Sequence, residues 1–203
     1  MAETPQLYLL TPPEIDEGFP DRLARVMDGA QVACVRVACA SRDEDRVLRA
    51  ADAVREVTHA RDVAAVIENH RALVGRLGLD GVHLTDGARS VRKARADLGA
   101  DAIVGAFCGA SRHEGMTAGE AGADYVAFGP VGETALGSGE RAEDEIFAWW
   151  SELIELPVVA EGALDAAAVE RLAPIADWIA LGEEIWREDD PLAALLAITA
   201  PLR

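Results

Sequence analysis

Lysine is almost absent from this chain: eighteen of its nineteen cationic side chains are arginine, and Lys93 stands alone. A mechanism that needs an active-site lysine, such as a Schiff-base aldolase, has that one residue to work with. Cysteine is scarce too. Cys34, Cys39 and Cys108 are odd in number and lie in or beside apolar runs, which argues against a disulfide framework or a zinc ribbon and predicts buried thiols. No apolar run approaches the roughly 20 residues of a membrane span. Met1 to Pro5 carries neither a basic start nor an apolar signal segment, so a cytoplasmic protein is expected. Positive charge is short overall, with 19 cations against 36 acids and a formal net charge of -17. That balance repels phosphate backbones and argues against nucleic acid and membrane surfaces as partners. No Pro, Gly or Ser tract is long enough to act as a linker, so residues 1–203 are expected to form one domain.

What is present is an alternation. Eight short apolar runs, Leu7 to Leu10, Val32 to Val37, Ala64 to Ile67, Val82 to Leu84, Ala102 to Phe107, Tyr125 to Phe128, Val158 to Ala160 and Trp178 to Leu181, are separated by amphipathic stretches. Parallel strands with helical crossovers follow from that order. Ser41 with Glu44 and Ser111 with Glu114 fit capping boxes, Asp190 with Pro191 fits a helix start, and Gly78, Gly99 and Gly122 suit helix ends. Val47, Leu48, Ala51 and Val54 form one buried stripe, and Ile146, Phe147, Trp150, Leu153 and Ile154 another. A weak repeat, GAQVACVR from Gly29, GLDGVHL from Gly78, GADYVAFG from Gly122 and IADWIALG from Ile175, divides the chain into four β-α-β-α quarters. The expected fold is therefore an α/β (β/α)₈ TIM barrel, with an open doubly wound sheet as the alternative.

In such a barrel the reactive groups stand at the carboxyl ends of the strands. The candidates there are Thr11, Arg36, Glu68, Asn69, His70, His83, Asp86, Cys108, Thr134, Glu161, Gly162, Gly182, Glu183 and Glu184. Glu68, Asn69 and His70 form the best local group, three polar residues where a plain turn favours Gly, Pro or Ser. Asn69 could equally cap the next helix. His83, Asp86 and Cys108 are of metal-ligating types but lack a metal-site spacing, and a lone strand histidine is more often a hydrogen-bonded core residue. His59 and His113 read as surface residues. Trp149 and Trp150 cannot both face one core, so one of them is expected to reach a partner subunit or a rim pocket.

LYLLT near the start, Arg36, GLDGVHL, GADYVAFGPV, PVVAEGAL and the DDP of Asp189 to Pro191 occur in an order and spacing that resembles the thiamine phosphate synthase and TenI family along nearly the whole chain. The resemblance implies an enzyme that joins an aminopyrimidine diphosphate to a thiazole phosphate, releasing pyrophosphate with Mg²⁺ as electrostatic partner, and it makes a homodimer plausible. It also exposes departures. The family's Asn-Asp after the third strand is Glu68 and Asn69 here, and its second metal carboxylate falls at Ala88, with Asp86 nearby, so Glu68 and Asp86 are the magnesium candidates. Arg-Glu-Lys after the second strand becomes Arg36, Val37 and Ala38, and the Thr-rich loop with its lysine becomes GETALGSG from Gly132. The loops expected to seat the thiazole phosphate read Glu161, Gly162, Ala163 and Gly182, Glu183, Glu184, which places two carboxylates opposite an anion. The TenI histidine after the sixth strand is Pro130.

Three functions follow as expectations. The first is a divergent synthase in which Arg36, Glu68, Asn69 and His70 act on the reacting groups, and His83, Cys108, Thr134, Glu161, Gly162, Gly182, Glu183 and Glu184 line the substrate. The second is a non-catalytic or regulatory relative whose acidic pocket takes a neutral or cationic pyrimidine or thiazole. The third is another lyase or isomerase using His70 and Glu68 as acid and base.

Overall fold

The computed structural model describes residues 4–203. Eight parallel strands close on themselves in chain order, each paired with its neighbours and the last with the first, so the chain is a (β/α)₈ barrel. The strands are β1 Gln6–Leu10, β2 Val32–Val37, β3 Ala64–Glu68, β4 Gly81–Leu84, β5 Ile103–Phe107, β6 Tyr125–Phe128, β7 Val158–Ala160 and β8 Trp178–Leu181. Between them run α1 Phe19–Gly29, α2 Glu44–His59, α3 Arg71–Leu77, α4 Val91–Leu98, α5 Arg112–Glu120, α6 Asp144–Leu153 and α7 Ala166–Leu172, and the short α8 Glu183–Trp186 and α9 Pro191–Ile198 close the ring. Among the described residues no helix is long and apolar enough to cross a membrane.

The repeat has a physical origin at the amino ends of the strands. Asp80, Asp124 and Asp177 occupy the same place in three quarters, directly before an even strand. Their side chains accept the backbone N-H of Ala65, Val104 and Val158 at 2.7, 2.7 and 2.8 Å. Their own N-H groups donate to the carbonyls of those same three residues. Each aspartate thus clasps the odd strand that precedes it to the even strand it introduces. The first quarter has Gln31 in this region.

Burial follows the strand period. One face of each strand packs under the helices in the larger apolar layer, and the other fills the barrel with Tyr8, Cys34, Val66, Phe107, Tyr125, Ala127, Val159 and Ala180. Gly105 makes room in that interior: a Cβ there would run into the ring of Tyr125 on the next strand.

Several local expectations are corrected. Helix α2 is capped by Asp43, whose Oδ1 accepts from the N-H groups of Asp45 and Arg46, while Ser41 bonds only to the N-H of Asp43. An aspartate closer to the first turn outcompetes the serine. Ser111 does cap α5, but Glu114 turns away to accept from the N-H of Ala88 instead of completing a box. Leu153 is 63% exposed because it sits past the inward face of α6. Trp150 is buried with its indole N-H on the carbonyl of Leu156, and the half-buried Trp149 lies under the guanidinium of Arg112, 4.9 Å from its ring centre. Intrachain cover therefore accounts for both indoles. Cys34 and Cys108 are buried, and Cys39 is half-buried.

Candidate active site

Strand alternation decides which polar side chains enter the barrel. Cys34 faces inward on β2, so Arg36 two residues on does too, and it pairs in register with Val66, two residues before Glu68 on β3. Glu68 pairs with His83 on β4. Glu161 directly follows β7 and continues inward from Val159. Four strands thus deliver Arg36, Glu68, His83 and Glu161 to one place below the rim.

Arg36 is the hub. It is 2% exposed, with NH2 2.8 Å from Glu161 Oε2 and Nε 3.2 Å from Glu68 Oε1. Its NH1 lies 2.7 Å from His83 Nε2, and its guanidinium sits 5.7 Å from the ring centre of Tyr8. Arginine can only donate, so His83 Nε2 accepts, which leaves the proton on Nδ1. That Nδ1-H donates to the Tyr125 hydroxyl at 2.9 Å, and Tyr125 in turn donates to the Tyr8 hydroxyl at 2.8 Å. The direction of the whole chain of hydrogen bonds is set by the one group that cannot accept. Trp178 stacks on Tyr125 with ring centres 6.3 Å apart and backs the chain from below.

The electrostatics match this geometry. Burial pushes the His83 imidazole well below its ordinary value, and the adjacent Arg36 charge pushes in the same direction, so His83 is neutral. Burial alone would disfavour the Arg36 cation, but Glu161, Tyr8 and Glu68 more than offset it and hold the charge. Burial raises the Glu161 carboxyl above its ordinary range, against the pull of Arg36. Among the described residues two buried side-chain atoms stay without an aligned hydrogen bond, Arg36 Nε and Glu161 Oε2. The latter is close to the Arg36 NH2 in distance, yet the angle makes it a charge contact and not a directed bond.

Around this hub the remaining candidates take distinct positions. His70 Nδ1 donates to the carbonyl of Glu68 at 2.7 Å, which ties the ring to its own strand end. Asn69, at φ 56, neither caps α3 nor enters the barrel; its amide exchanges bonds with the hydroxyl and N-H of Thr85 and links the loops after β3 and β4. Thr11 is likewise a tie between strands, its hydroxyl accepting from the N-H of Ala38. Thr134 is exposed. Cys108 is buried, and desolvation pushes its thiol up to about 12, far from a reactive thiolate. It borders a cavity of about 740 Å³ beside the barrel mouth, shared with Ser111, Arg112, Ser138 and Arg141. A larger cavity of about 830 Å³ opens at the opposite, amino end near Gln6, Gln31 and Leu202, away from the titratable hub.

The two glycine loops contain a surprise. Gly162 takes φ 92, and a Cβ there would strike Pro130 and Leu136, so that position requires glycine. Ala163 follows at φ 54, a conformation costly for a residue with a Cβ. Glu183 is exposed, but Glu184 folds back. Its Oε2 accepts the N-H of Gly182 at 2.8 Å and its Oε1 the N-H of Leu164 at 3.3 Å. A carboxylate of the chain itself therefore fills the backbone donors between the seventh and eighth loops.

Glu68 and Asp86, the magnesium candidates, are engaged separately, Glu68 with Arg36 and Asp86 Oδ2 with the hydroxyl of Ser90 at 2.6 Å. Among the described residues no three His, Cys, Asp or Glu side chains converge in a metal-holding group. These two carboxylates do not make a preformed cage for Mg²⁺. Reasoning from sequence missed Tyr8, Tyr125 and Leu136, the last reaching from the loop after β6 onto the interior cluster. Two tyrosines at inward strand positions, one facing Gly105, were the available signal.

Fold and site together define an α/β barrel with a charged, partly closed mouth at the carboxyl ends of its strands. Residues 7–185 match the thiamine monophosphate synthase family, and the chain belongs to it. It is 40% identical over 195 residues to a thiamine-phosphate synthase of Rhodospirillum centenum, covering 95% of this chain and 94% of that protein. It is 38% identical over 202 residues to one of Erythrobacter litoralis, covering 95% of each. Thiamine phosphate pyrophosphorylase from Pyrococcus furiosus superposes with a TM-score of 0.84 at 20% identity, over 97% of this chain and 95% of that one, a likeness of fold.

Proposed function

We propose that this protein is a thiamine phosphate synthase, joining an aminopyrimidine diphosphate to a thiazole phosphate with release of pyrophosphate. The observation that carries the reading is the 40% identity, across almost the full length of both chains, to a protein of that name. In the reaction the bond from the pyrimidine methylene to the diphosphate oxygen breaks, its electron pair leaves with pyrophosphate, and the thiazole nitrogen forms the new bond. Arg36 supplies fixed positive charge beneath the reacting centre, and His83 holds it in place as a neutral acceptor. Arg112 and Arg141, which line the cavity beside the mouth together with Glu140, Glu143 and Glu145, are the cations this reading assigns to the departing anion in place of the missing lysines. A cytoplasmic, one-domain homodimer belongs to the same proposal.

A specific observation favours a second reading, a relative that binds without turning over. Arg36 is already matched by Glu161 and Glu68, and Glu184 occupies the backbone donors where a phosphate would sit. Incubation of the purified protein with both substrates and Mg²⁺ separates the two. Thiamine phosphate formed in proportion to enzyme supports the synthase; none at high enzyme concentration leaves the binding relative.

A further inference from the structure

Three of the four quarters close the amino end of their strand pair with an aspartate, and the first does not. Gln31 stands directly before β2 as Asp80, Asp124 and Asp177 stand before β4, β6 and β8. Each aspartate holds the N-H of the preceding strand, whereas among the described residues the Gln31 side chain makes no hydrogen bond. The pairing slips at the same place. Leu7 pairs with Val32 but Tyr8 with Cys34, so Ala33 is an extra residue with no partner on β1. Pairing of β2 with β3 begins only at Cys34, which leaves Ala33 without a partner there too. Where clasp and register both fail, a cavity of about 830 Å³ opens, bounded by Thr4 to Leu7, Gly29 to Ala33 and residues of α9 and the turn after it. A space of about 300–1,000 Å³ suits a small organic molecule.

The lining narrows the chemistry of that molecule. Pro5, Leu7, Val32, Leu196 and Leu202 give apolar walls, and Gln6 and Gln31 bring two carboxamides. Among the described residues Arg203 is the single charged side chain on the lining. An anion gains an exposed pair with Arg203, which is worth little. It also meets the carboxyl end of α1, whose last turn has no basic residue, and a net charge of -17. A cation finds no carboxylate side chain there to replace its lost hydration. A neutral ring with a carboxamide is matched, because its amide can donate to and accept from a glutamine side chain at once. We propose that the seam between β1 and β2 at the amino end of the barrel is a small-molecule site for a neutral aromatic carboxamide. Its amide pairs with Gln6 and Gln31 and bridges the two strands where the other quarters use an aspartate. The proposal stands without the synthase reading.

The test titrates the isotope-labelled full chain with benzamide and its two charged isosteres, benzoate and benzamidinium, and follows the amide signals by nitrogen–proton NMR. Benzamide is expected to move the carboxamide signals of Gln6 and Gln31 and the N-H of Ala33, leaving the N-H signals of Cys108 and Glu161 in place. It should bind at least about tenfold more tightly than either isostere, the margin that about two hydrogen bonds supply. Gln31→Leu keeps the space and removes one amide, and because Gln31 is exposed the variant should fold. Benzamide should bind that variant at least about tenfold more weakly. Ala33→Leu fills the space and should abolish the shifts, and where it does not fold Gln31→Leu still decides. Equal shifts from all three probes, no shift from benzamide, or wild-type affinity in folded Gln31→Leu overturns the proposal. So does binding that emerges only once residues 1–3 are removed, since the space then belongs to the chain itself.

Discussion

Arg36 is a buried cation whose removal and whose joint removal with its partner should behave oppositely. Arg36→Met leaves Glu161 desolvated with no counter-charge, and about 3–5 kcal/mol of folding stability should be lost in urea titrations. Arg36→Met combined with Glu161→Leu removes both charges and should recover most of that loss, because well-packed apolar groups can replace a buried ion pair at little net cost. A double variant no more stable than the single one would show that the pair is not the relevant unit. His83 carries a pH signature of its own. Its folded pKa lies well below the unfolded value of 6.5, so the unfolded chain takes up a proton that the folded chain refuses. The stability this group contributes is whole above pH 6.5 and declines as pH falls below it, by about 1.4 kcal/mol per unit until the folded pKa is reached. Glu161, raised by burial, has the opposite slope, its contribution being whole below the unfolded carboxyl value of 4.5 and fading as pH rises through its folded value. Comparing wild type with His83→Gln between about pH 7.5 and about pH 5.5 isolates the histidine part. Nitrogen NMR of wild type should also show the Nδ1-H tautomer at pH 6.5, where a free imidazole is half charged.

At the level of strands and loops, the clasps explain why the order of elements could be read directly. Asp80, Asp124 and Asp177 recur because three strand pairs need the same closure at their amino ends, and that need writes a repeat into the sequence. Replacing any one by Ala frees a strand N-H and should cost about 1–2 kcal/mol, read as a lowered urea midpoint. All eight apolar runs became strands within one residue at each end, since parallel barrel strands are continuous in their hydrophobicity. The site was legible as a set of rim residues but not as a network. Nothing local to Arg36 says that its partners lie on β4 and β7, and Tyr8 and Tyr125 read as core. The sense of Glu184 was also hidden: sequence places it opposite a phosphate, while the fold turns it into the occupant of that place. Glu184→Ala should therefore tighten inorganic phosphate binding by at least about tenfold, the lost repulsion amounting to a few kcal/mol before screening. Unchanged phosphate affinity would show that those donors do not serve an anion.

Across the whole molecule the net charge of -17 acts on any charged substrate before it reaches the site. The reaction proposed here takes two anions, so long-range repulsion should slow their arrival. Raising ionic strength from about 0.01 M to about 0.15 M shortens the screening length from about 30 Å to about 8 Å, less than the size of the barrel. The contribution of distant surface acids then disappears, while contacts within a few ångströms of Arg36, Arg112 and Arg141 are weakened much less. For the synthase, kcat/KM toward the aminopyrimidine diphosphate should rise over this range of added NaCl. Binding of a neutral aminopyrimidine at the same site should stay flat, because the field does no work on it. A steep fall of kcat/KM with salt would mean that local cations, not the acidic surface, govern the approach, and that the mouth is more hospitable to anions than its carboxylates suggest.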